Sequence, residues 1–392
     1  MYNRSMDNKM LEGALKVIKK FEDEKYEAYI VGGFVRDYLL DMPAYDIDIT
    51  TNCLPDEVER LFPNSFVQSA KYRTVTVEMD GYHYEVTTYR SDKKFKDHRH
   101  PETKVTKTLK QDVKRRDFTI NSLCLDSDLN VIDYTGGLID LRDKIIRTVG
   151  NPMKRLSEDA LRVFRAFRFA SRLDFTIENN TMNAIKLNTP LLKFISKERV
   201  RTELSKTFEE PYFKKVLPIM LDAGLFKVYP DMQEAAKVLN RNYYDIDLIE
   251  FATIASYIKG EVTEEVLLSR KEIKQITQTI EYIKIFENRS LSKRFLLDVS
   301  IECIDSALKI MKIFNNAIYT KEEIQLMIDE LPIQSAKDLD INGFDIKKLF
   351  KLDDSPLIKK YLDMATDAVA GGYCPNKKAK ITKFLKGNKL DE

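Results

Sequence analysis

Alternating, strand-forming runs crowd into the first 135 or so residues of this 392-residue chain, and after Gly150 helical periodicity takes over almost to the end. Strands gathered in one part and helices in another describe an α+β fold, a head with a small mixed sheet followed by an all-α remainder. In the head the spacing predicts a helix over roughly 9–24, a strand from Ala28 to Val31, a short helix around Phe34 to Leu40, a strand over Tyr45–Thr50 and a helix from Pro55 to Phe62. Two alternating runs, Thr74–Met79 and Tyr82–Thr88, flank Asp80-Gly81, a strong hairpin signal. Phe118 to Leu125 and Val131 to Tyr134 read as further strands. Prolines at 190, 211, 230, 332 and 356 predict helix breaks and hence subdivisions of the helical part.

Charged residues make up 32% of the chain, yet the net charge is only +2, so total charge announces no nucleic-acid partner and local patches must be sought. The four cysteines, Cys53, Cys124, Cys303 and Cys374, lie far apart, which suits reduced thiols in a cytoplasmic protein better than a disulfide framework or a zinc ribbon. Nothing near the N-terminus reads as a secretion signal, and no apolar stretch approaches the roughly twenty residues that span a bilayer, so no membrane association is expected. All three histidines, His83, His98 and His100, fall within eighteen residues, which excludes histidine bases and ligands from the long helical remainder. No Gly-Lys-Ser/Thr is present, so there is no Walker A loop.

The chemistry-bearing segment is "VGGFVRDYLLDMPAYDIDIT", residues 31–50. In a strand, Asp46 and Asp48 point to one face. Two neighbouring carboxylates repel unless a divalent cation lies between them or both face water. A cation so held can activate an attacking hydroxyl and neutralise a leaving pyrophosphate. Gly32 and Gly33 would let backbone N–H groups approach a triphosphate, the following helix N-terminus would add a favourable dipole, and Arg36 would clamp phosphate oxygens. The competing reading of a bare Asp-x-Asp is a solvated edge strand; the upstream Gly-Gly-x-x-Arg-Asp favours the metal.

This segment resembles the first motif of the DNA polymerase beta nucleotidyltransferase superfamily, and in particular that of the bacterial class II tRNA nucleotidyltransferases (CCA-adding enzymes) and the related poly(A) polymerases. The match continues in order. "RRDFTINSL" (115–123) is similar to the second motif, with Ser122 where Ala is usual. Gly136-Gly137 through Asp140-Leu141 to "IRTVG" (146–150) resembles the connection to the neck, "RLSEDALRVFRAFRFA" (155–170) the fourth motif and "SKERVRTELSKTF" (196–208) the fifth. The resemblance implies a polymerase-beta-like head over 1–140, a nucleotide-selecting helical neck over 141–210, a helical body over 211–330 and a helical tail over 331–392. Glu85, on the second hairpin strand, is the candidate for a third carboxylate near the acid pair, with Glu78 as competitor, and Arg116 is the candidate in the second motif for contact with the incoming nucleotide. The stretch "YRSDKKFKDHRHP" (89–101) is similar to a mobile charged loop of the family, one that enzymes adding only CC largely lack.

In the neck, Asp159 and Arg162, if helical, share a face. A carboxylate acceptor beside a guanidinium donor matches the amino group and ring acceptors of cytosine and adenine, whereas guanine and uracil would set a carbonyl against the carboxylate. The resemblance assigns base reading to these two residues. Arg162, Arg165, Arg168 and Arg172 fall within an arc of roughly 120° at 100° per residue, so Arg165 and Arg168 are candidates for phosphate contact, with Val163, Ala166, Phe167 and Ala170 left to pack. Near the C-terminus Lys377, Lys378, Lys380 and Lys383 could meet RNA phosphates. The expected activity is addition of C, C and A to tRNA 3′ ends from CTP and ATP, with Mg²⁺ on Asp46 and Asp48 and no nucleic-acid template. The alternatives are an A-only or CC-only enzyme, a poly(A) polymerase, or a non-catalytic RNA-binding protein with a degenerate head.

Overall fold

Asp80 and Gly81 carry the chain through a tight turn with φ of 55° and 81°, the two positive values a two-residue hairpin of this hand requires. The structure is a computed structural model that describes residues 8–69, 73–95, 101–297, 299–352 and 356–390. Its residues group into two units, Met1–Gln233 and Glu234–Glu392.

The first unit begins with α1 (Asn8–Asp23), β1 (Ala28–Val31), α2 (Gly33–Leu39), β2 (Asp48–Thr51) and α3 (Pro55–Leu61), followed by β3 (Ser65–Ser69), β4 (Thr74–Met79) and β5 (Tyr82–Thr88). With β8 and β9, introduced below, these strands form a seven-stranded sheet in the order β3-β4-β5-β2-β1-β8-β9. β2 runs parallel to β5 and antiparallel to β1, so the sheet is mixed. Alternation decides what it buries: Val75, Val77, Tyr84 and Val86 are at most 1% exposed. The apolar stripe of α1 (Leu11, Ala14, Val17, Ile18 and Phe21) covers that face, and Tyr84 Oη donates to the Met10 carbonyl at 2.8 Å.

Three expectations need correction here. The acid strand starts at Asp48 rather than Tyr45, because residues 43–47 are neither helix nor strand; Ile47 is buried there while Tyr45 and Asp46 are exposed. Residues 118–125 do not make one strand. Thr119–Asn121 is a 3₁₀ turn and β8 is only Cys124–Leu125, paired with β9 (Val131–Ile132). The turn is held by side chains: Asp117 accepts from the Phe118 amide at 2.8 Å and from Asn121 at 3.2 Å, and Thr119 Oγ1 donates to Asp140 at 2.6 Å. Finally, the expected loop over 89–101 contains β6 (Arg90–Phe95), which pairs with β7 (Pro101–Val105) as a separate two-stranded ribbon. Its tip, residues 96–100, lies outside the described residues. Strand β3 was not foreseen either; its residues are largely exposed, as suits an edge.

The base of the ribbon is tied to the sheet through α4 (Leu109–Val113). Asp112, fully buried, accepts from the Arg90 amide at 3.1 Å, Arg115 Nε at 2.9 Å and Thr50 Oγ1 at 3.3 Å, and sits 3.7 Å from the Arg116 guanidinium. Burial alone would raise its pKa, but Arg115 and Arg116 outweigh that and hold it low.

Helices complete the unit: α5 (Gly137–Arg142), α6 (Pro152–Glu158), α7 (Leu161–Leu173), α8 (Asn179–Asn188), α9 (Lys197–Phe208) and α10 (Phe213–Asp222), with a short parallel pair β10 (Ile145–Ile146) and β11 (Thr176–Ile177) among them. Val163, Ala166, Phe167 and Ala170 of α7 are buried as their spacing predicts. The boundary of the two units falls within α11 (Pro230–Arg241). The second unit is helical, from α12 (Leu248–Lys259) to α19 (Lys378–Gly387), and its described residues contain no strand. Pro230 and Pro356 each begin a helix, where the missing N–H costs nothing. All four cysteines are free and buried. No helix among the described residues is long and apolar enough to cross a membrane.

Candidate active site

A cleft of about 390 Å³ opens where the N-terminal part of α2, the approach to β2, Arg116–Asn121 and one face of α7 converge. Gly32 lines it with φ +87°, a conformation that disfavours any side chain. A Cβ there would also lie 3.3 Å from Arg116 Nη1 and 3.5 Å from Asp48 Oδ2. The glycine therefore keeps open a cradle between a guanidinium and a carboxylate.

Of the residues expected from sequence, Gly32, Gly33, Arg36, Asp46, Asp48, Arg116, Arg165 and Arg168 all line this cleft. Asp46 is exposed and Asp48 half-buried. Burial pushes the Asp48 carboxyl up to about 6; Arg116 opposes the shift, and the charges of Asp46 and Glu85 reinforce it. Asp48 lies opposite Glu85 in the parallel β2–β5 register, whereas Glu78 sits on β4 opposite His83. Glu85 is thus the sheet neighbour of Asp48, although it does not line the cleft and accepts from Gln68 Nε2 at 2.9 Å.

The acid pair fits a hard divalent cation. Burial raises the Asp48 carboxyl and the Asp46 charge adds to the shift, so a cation placed between them would favour the ionised pair, and oxygen is the donor type Mg²⁺ prefers. No group of three or more His, Cys, Asp or Glu among the described residues is arranged to hold a metal. Two carboxylates with the remaining positions left to water and phosphate oxygens is the usual way Mg²⁺ is bound at a phosphate substrate.

The opposite wall is cationic. Arg36 is 3% exposed and acts as a strut: Nε donates to Asp37 at 2.8 Å and Nη1 to Asn121 Oδ1 at 2.6 Å. Arg172 donates to the other Asp37 oxygen at 2.9 Å. Arg165 grips Asp117, with Nε to Oδ2 at 2.8 Å. Burial would raise the Asp117 carboxyl, but Arg165 and the hydrogen bonds from Asn121 and the Phe118 amide hold it at about 2. The guanidinium groups of Arg36, Arg165 and Arg168 each lie 5.0–5.2 Å from the Phe169 ring centre, a cation–π stack that fixes their planes. Against this order, the buried Nε of Arg116 has no hydrogen-bond partner, whereas Arg168 Nε lies 3.2 Å from Glu203 Oε2 in an ion pair. Buried donors are nearly always satisfied, so Arg116 Nε points to a ligand bearing acceptor oxygens.

Asp159 and Arg162 behave differently. α6 stops at Glu158 and Asp159 is extended (φ −145°, ψ 102°), so the pair does not share a helix face as the sequence suggested. Two contacts hold it there: Asp159 Oδ1 accepts from the Leu161 amide at 3.1 Å, and Arg199 of α9 donates to both carboxylate oxygens at 3.2 and 2.8 Å. Arg162 is 9% exposed and donates to the Arg155 carbonyl at 2.6 Å, to Glu158 at 3.3 Å and to the Arg115 carbonyl at 3.3 Å. Neither lines the cleft, though Asp159 is near enough for its charge to act on Arg165.

Sequence reasoning did not place Asp37, Tyr45, Asp117, Asn121, Phe169 or Lys206 in the cleft. Each lies inside or beside a quoted segment, but its direction depends on turns and packing that no spacing encodes. In the second unit Lys377, Lys378, Lys380 and Lys383 are all exposed at the start of α19, and Lys378 pairs with Asp345 at 2.7 Å.

Residues 28–147 match the model of the poly A polymerase head domain, 174–235 that of a probable RNA and SrmB-binding site of polymerase A, and 260–385 that of a putative tRNA nucleotidyltransferase domain 2. A CCA-adding enzyme of Staphylococcus haemolyticus is 33% identical over 98% of this chain and 99% of its own length, and one from Limosilactobacillus reuteri is 34% identical over 94% of each. Among solved structures, the Bacillus stearothermophilus CCA-adding enzyme in complex with CTP superposes with a TM-score of 0.82 at 30% identity, over 96% of this chain and 97% of that one. Similarity at this level along nearly the whole length shows that the chain belongs to the family of CCA-adding enzymes.

Proposed function

We propose that this protein adds C, C and A to the 3′ end of tRNA from CTP and ATP, releasing pyrophosphate at each step and using no nucleic-acid template. The observation that carries the reading is the cleft itself: Asp46 and Asp48 share it with a buried, unpartnered Arg116 nitrogen, and Gly32 leaves room for a phosphate between Asp48 and Arg116. The RNA 3′ hydroxyl attacks the α-phosphate; a new P–O bond forms and the bond to the β-phosphate breaks. Arg116 supplies an N–H donor to triphosphate oxygens, Arg168, paired with Glu203, adds positive charge, and Arg165, locked by Asp117 and Phe169, holds the wall in place. Asp46 and Asp48 would hold Mg²⁺, whose chemistry is to activate the hydroxyl and neutralise the leaving group. Glu85, beside Asp48 in the sheet, adds negative charge that favours the cation.

Base choice is assigned to Asp159 and Arg162, as the family resemblance implies. Arg199 now satisfies the Asp159 carboxylate, so an incoming amino group must share that carboxylate with it or replace it. The head (1–140), neck (141–210), body (211–330) and tail (331–392) division belongs to the same proposal, as do contact of Lys377, Lys378, Lys380 and Lys383 with tRNA phosphates and a cytoplasmic setting. One incubation tests the whole: tRNAs ending at the discriminator base, at C and at CC are given CTP and ATP separately and the products sized. Full CCA addition gives two C and then one A. A single A added only after CC, or CC without A, identifies a partial enzyme, and repeated A on any RNA identifies a poly(A) polymerase. No labelled CTP incorporated with any divalent metal would leave only RNA binding.

A further inference from the structure

We infer that Tyr45 is a stacking platform for the terminal base of the RNA being extended, an inference that rests on the nucleotidyl-transfer reading above. Two aromatic rings line the cleft, Tyr45 and Phe169. Phe169 is already covered by three guanidinium groups and is 5% exposed. Tyr45 is 85% exposed, stands immediately before Asp46, and sits on backbone that is neither helix nor strand. Among the described residues nothing packs over its ring, while the rest of the wall around it is mostly charged.

The position of the ring selects its ligand. The unpartnered Arg116 Nε is buried and Asp48 is half-buried, whereas Asp46 and Tyr45 face solvent. A mononucleotide can enter a cleft of about 390 Å³; an RNA cannot, so its end must come in from the mouth. Its terminal hydroxyl has to reach the acids beside which Tyr45 stands, which brings the terminal base within reach of the ring. Stacking also suits the task. The last base of the acceptor changes at each addition, from any discriminator base to C and again to C. A hydrogen-bonding pocket would reject some of these, but every base has a π-face.

The test compares Tyr45→Ala and Tyr45→Phe. With the alanine variant, KM for a tRNA minihelix should rise by about 5- to 150-fold, the range set by base–aromatic stacking, while KM for CTP stays within about twofold. The phenylalanine variant should behave as wild type. A minihelix carrying 2-aminopurine at its 3′ end should be quenched by wild type and Tyr45→Phe and much less by Tyr45→Ala. An alanine variant with wild-type RNA KM and undiminished quenching overturns the inference, as does a loss that falls on CTP instead. If wild-type protein incorporates no CTP, the functional reading fails, and the quenching comparison still decides whether Tyr45 stacks. The exposure of the ring makes misfolding of either variant easy to exclude by circular dichroism.

Discussion

Replacing Asp48 by Asn should make the metal-free protein more stable and nearly inactive. In the fold the Asp48 carboxyl titrates at about 6 against an ordinary 3.8, chiefly because it is buried. Between these values the folded protein retains a proton that the unfolded chain has released. This contribution to stability is therefore complete below about pH 4 and lost as the pH rises through about 6. A shift of roughly two units amounts to about 3 kcal/mol at pH 7 and about half of that at pH 5. Asn keeps the shape and removes the charge, so the variant should gain that amount in EDTA. At about 2–4 °C per kcal/mol for a unit of this size, the melting temperature at pH 7.5 should rise by roughly 6–12 °C. Mg²⁺ should raise the melting temperature of wild type and leave the variant unmoved. CTP incorporation should fall roughly a thousandfold, the equivalent of about 4 kcal/mol of transition-state stabilisation. Thermal denaturation followed by circular dichroism at pH 5 to 8, with EDTA and then with Mg²⁺, gives all the stabilities. A variant no more stable than wild type in EDTA, or a gap that fails to narrow toward pH 5, would refute the reasoning.

Three further outcomes are expected. Gly32→Ala places a methyl group between Arg116 and Asp48 at φ +87° and should cost about 1–3 kcal/mol of stability, with weaker CTP binding by calorimetry. Arg165→Met strips Asp117 of its main partner. A cost of about 2–3 kcal/mol is expected, below the value of ~3–5 for fully buried pairs because the Arg165 side chain is 31% exposed. Because the Asp117 pKa is depressed, its stabilisation exists above the ordinary carboxylate range and fades as the pH falls toward about 2, so urea midpoints of variant and wild type should converge in acid. Asp159→Ala should admit G and U more than it weakens triphosphate binding, checked by single-nucleotide incorporation with each of the four triphosphates; an unchanged preference would remove Asp159 from base reading.

The residues whose roles follow from local spacing were legible in the sequence. The Asp80-Gly81 hairpin, the strand Ala28–Val31, the helix after the glycine pair and the α7 arginines all lie close to where alternation or 3.6-residue periodicity put them. What escaped was set by contacts distant in the chain. Asp159 leaves the helix because its carboxylate binds Arg199, forty positions away, and no periodicity carries that information. Residues 118–125 contain enough β-branched and aromatic side chains for a strand, yet Asp117, Asn121 and Asp140 bend the backbone into a turn. In doing so they place Asp117 under Arg165. The charged run after Tyr89 has no apolar rhythm, so its backbone pairing as a ribbon was invisible to a reading based on side-chain pattern.

The foot of that ribbon shares an anchor with the cleft. One sequestered carboxylate, Asp112, serves the Arg90 amide at the ribbon's foot and the Arg115 and Arg116 guanidinium groups. It cannot abandon one donor without redistributing itself among the others. The foot of the ribbon and the Arg116 guanidinium in the cleft thus depend on the same buried carboxylate.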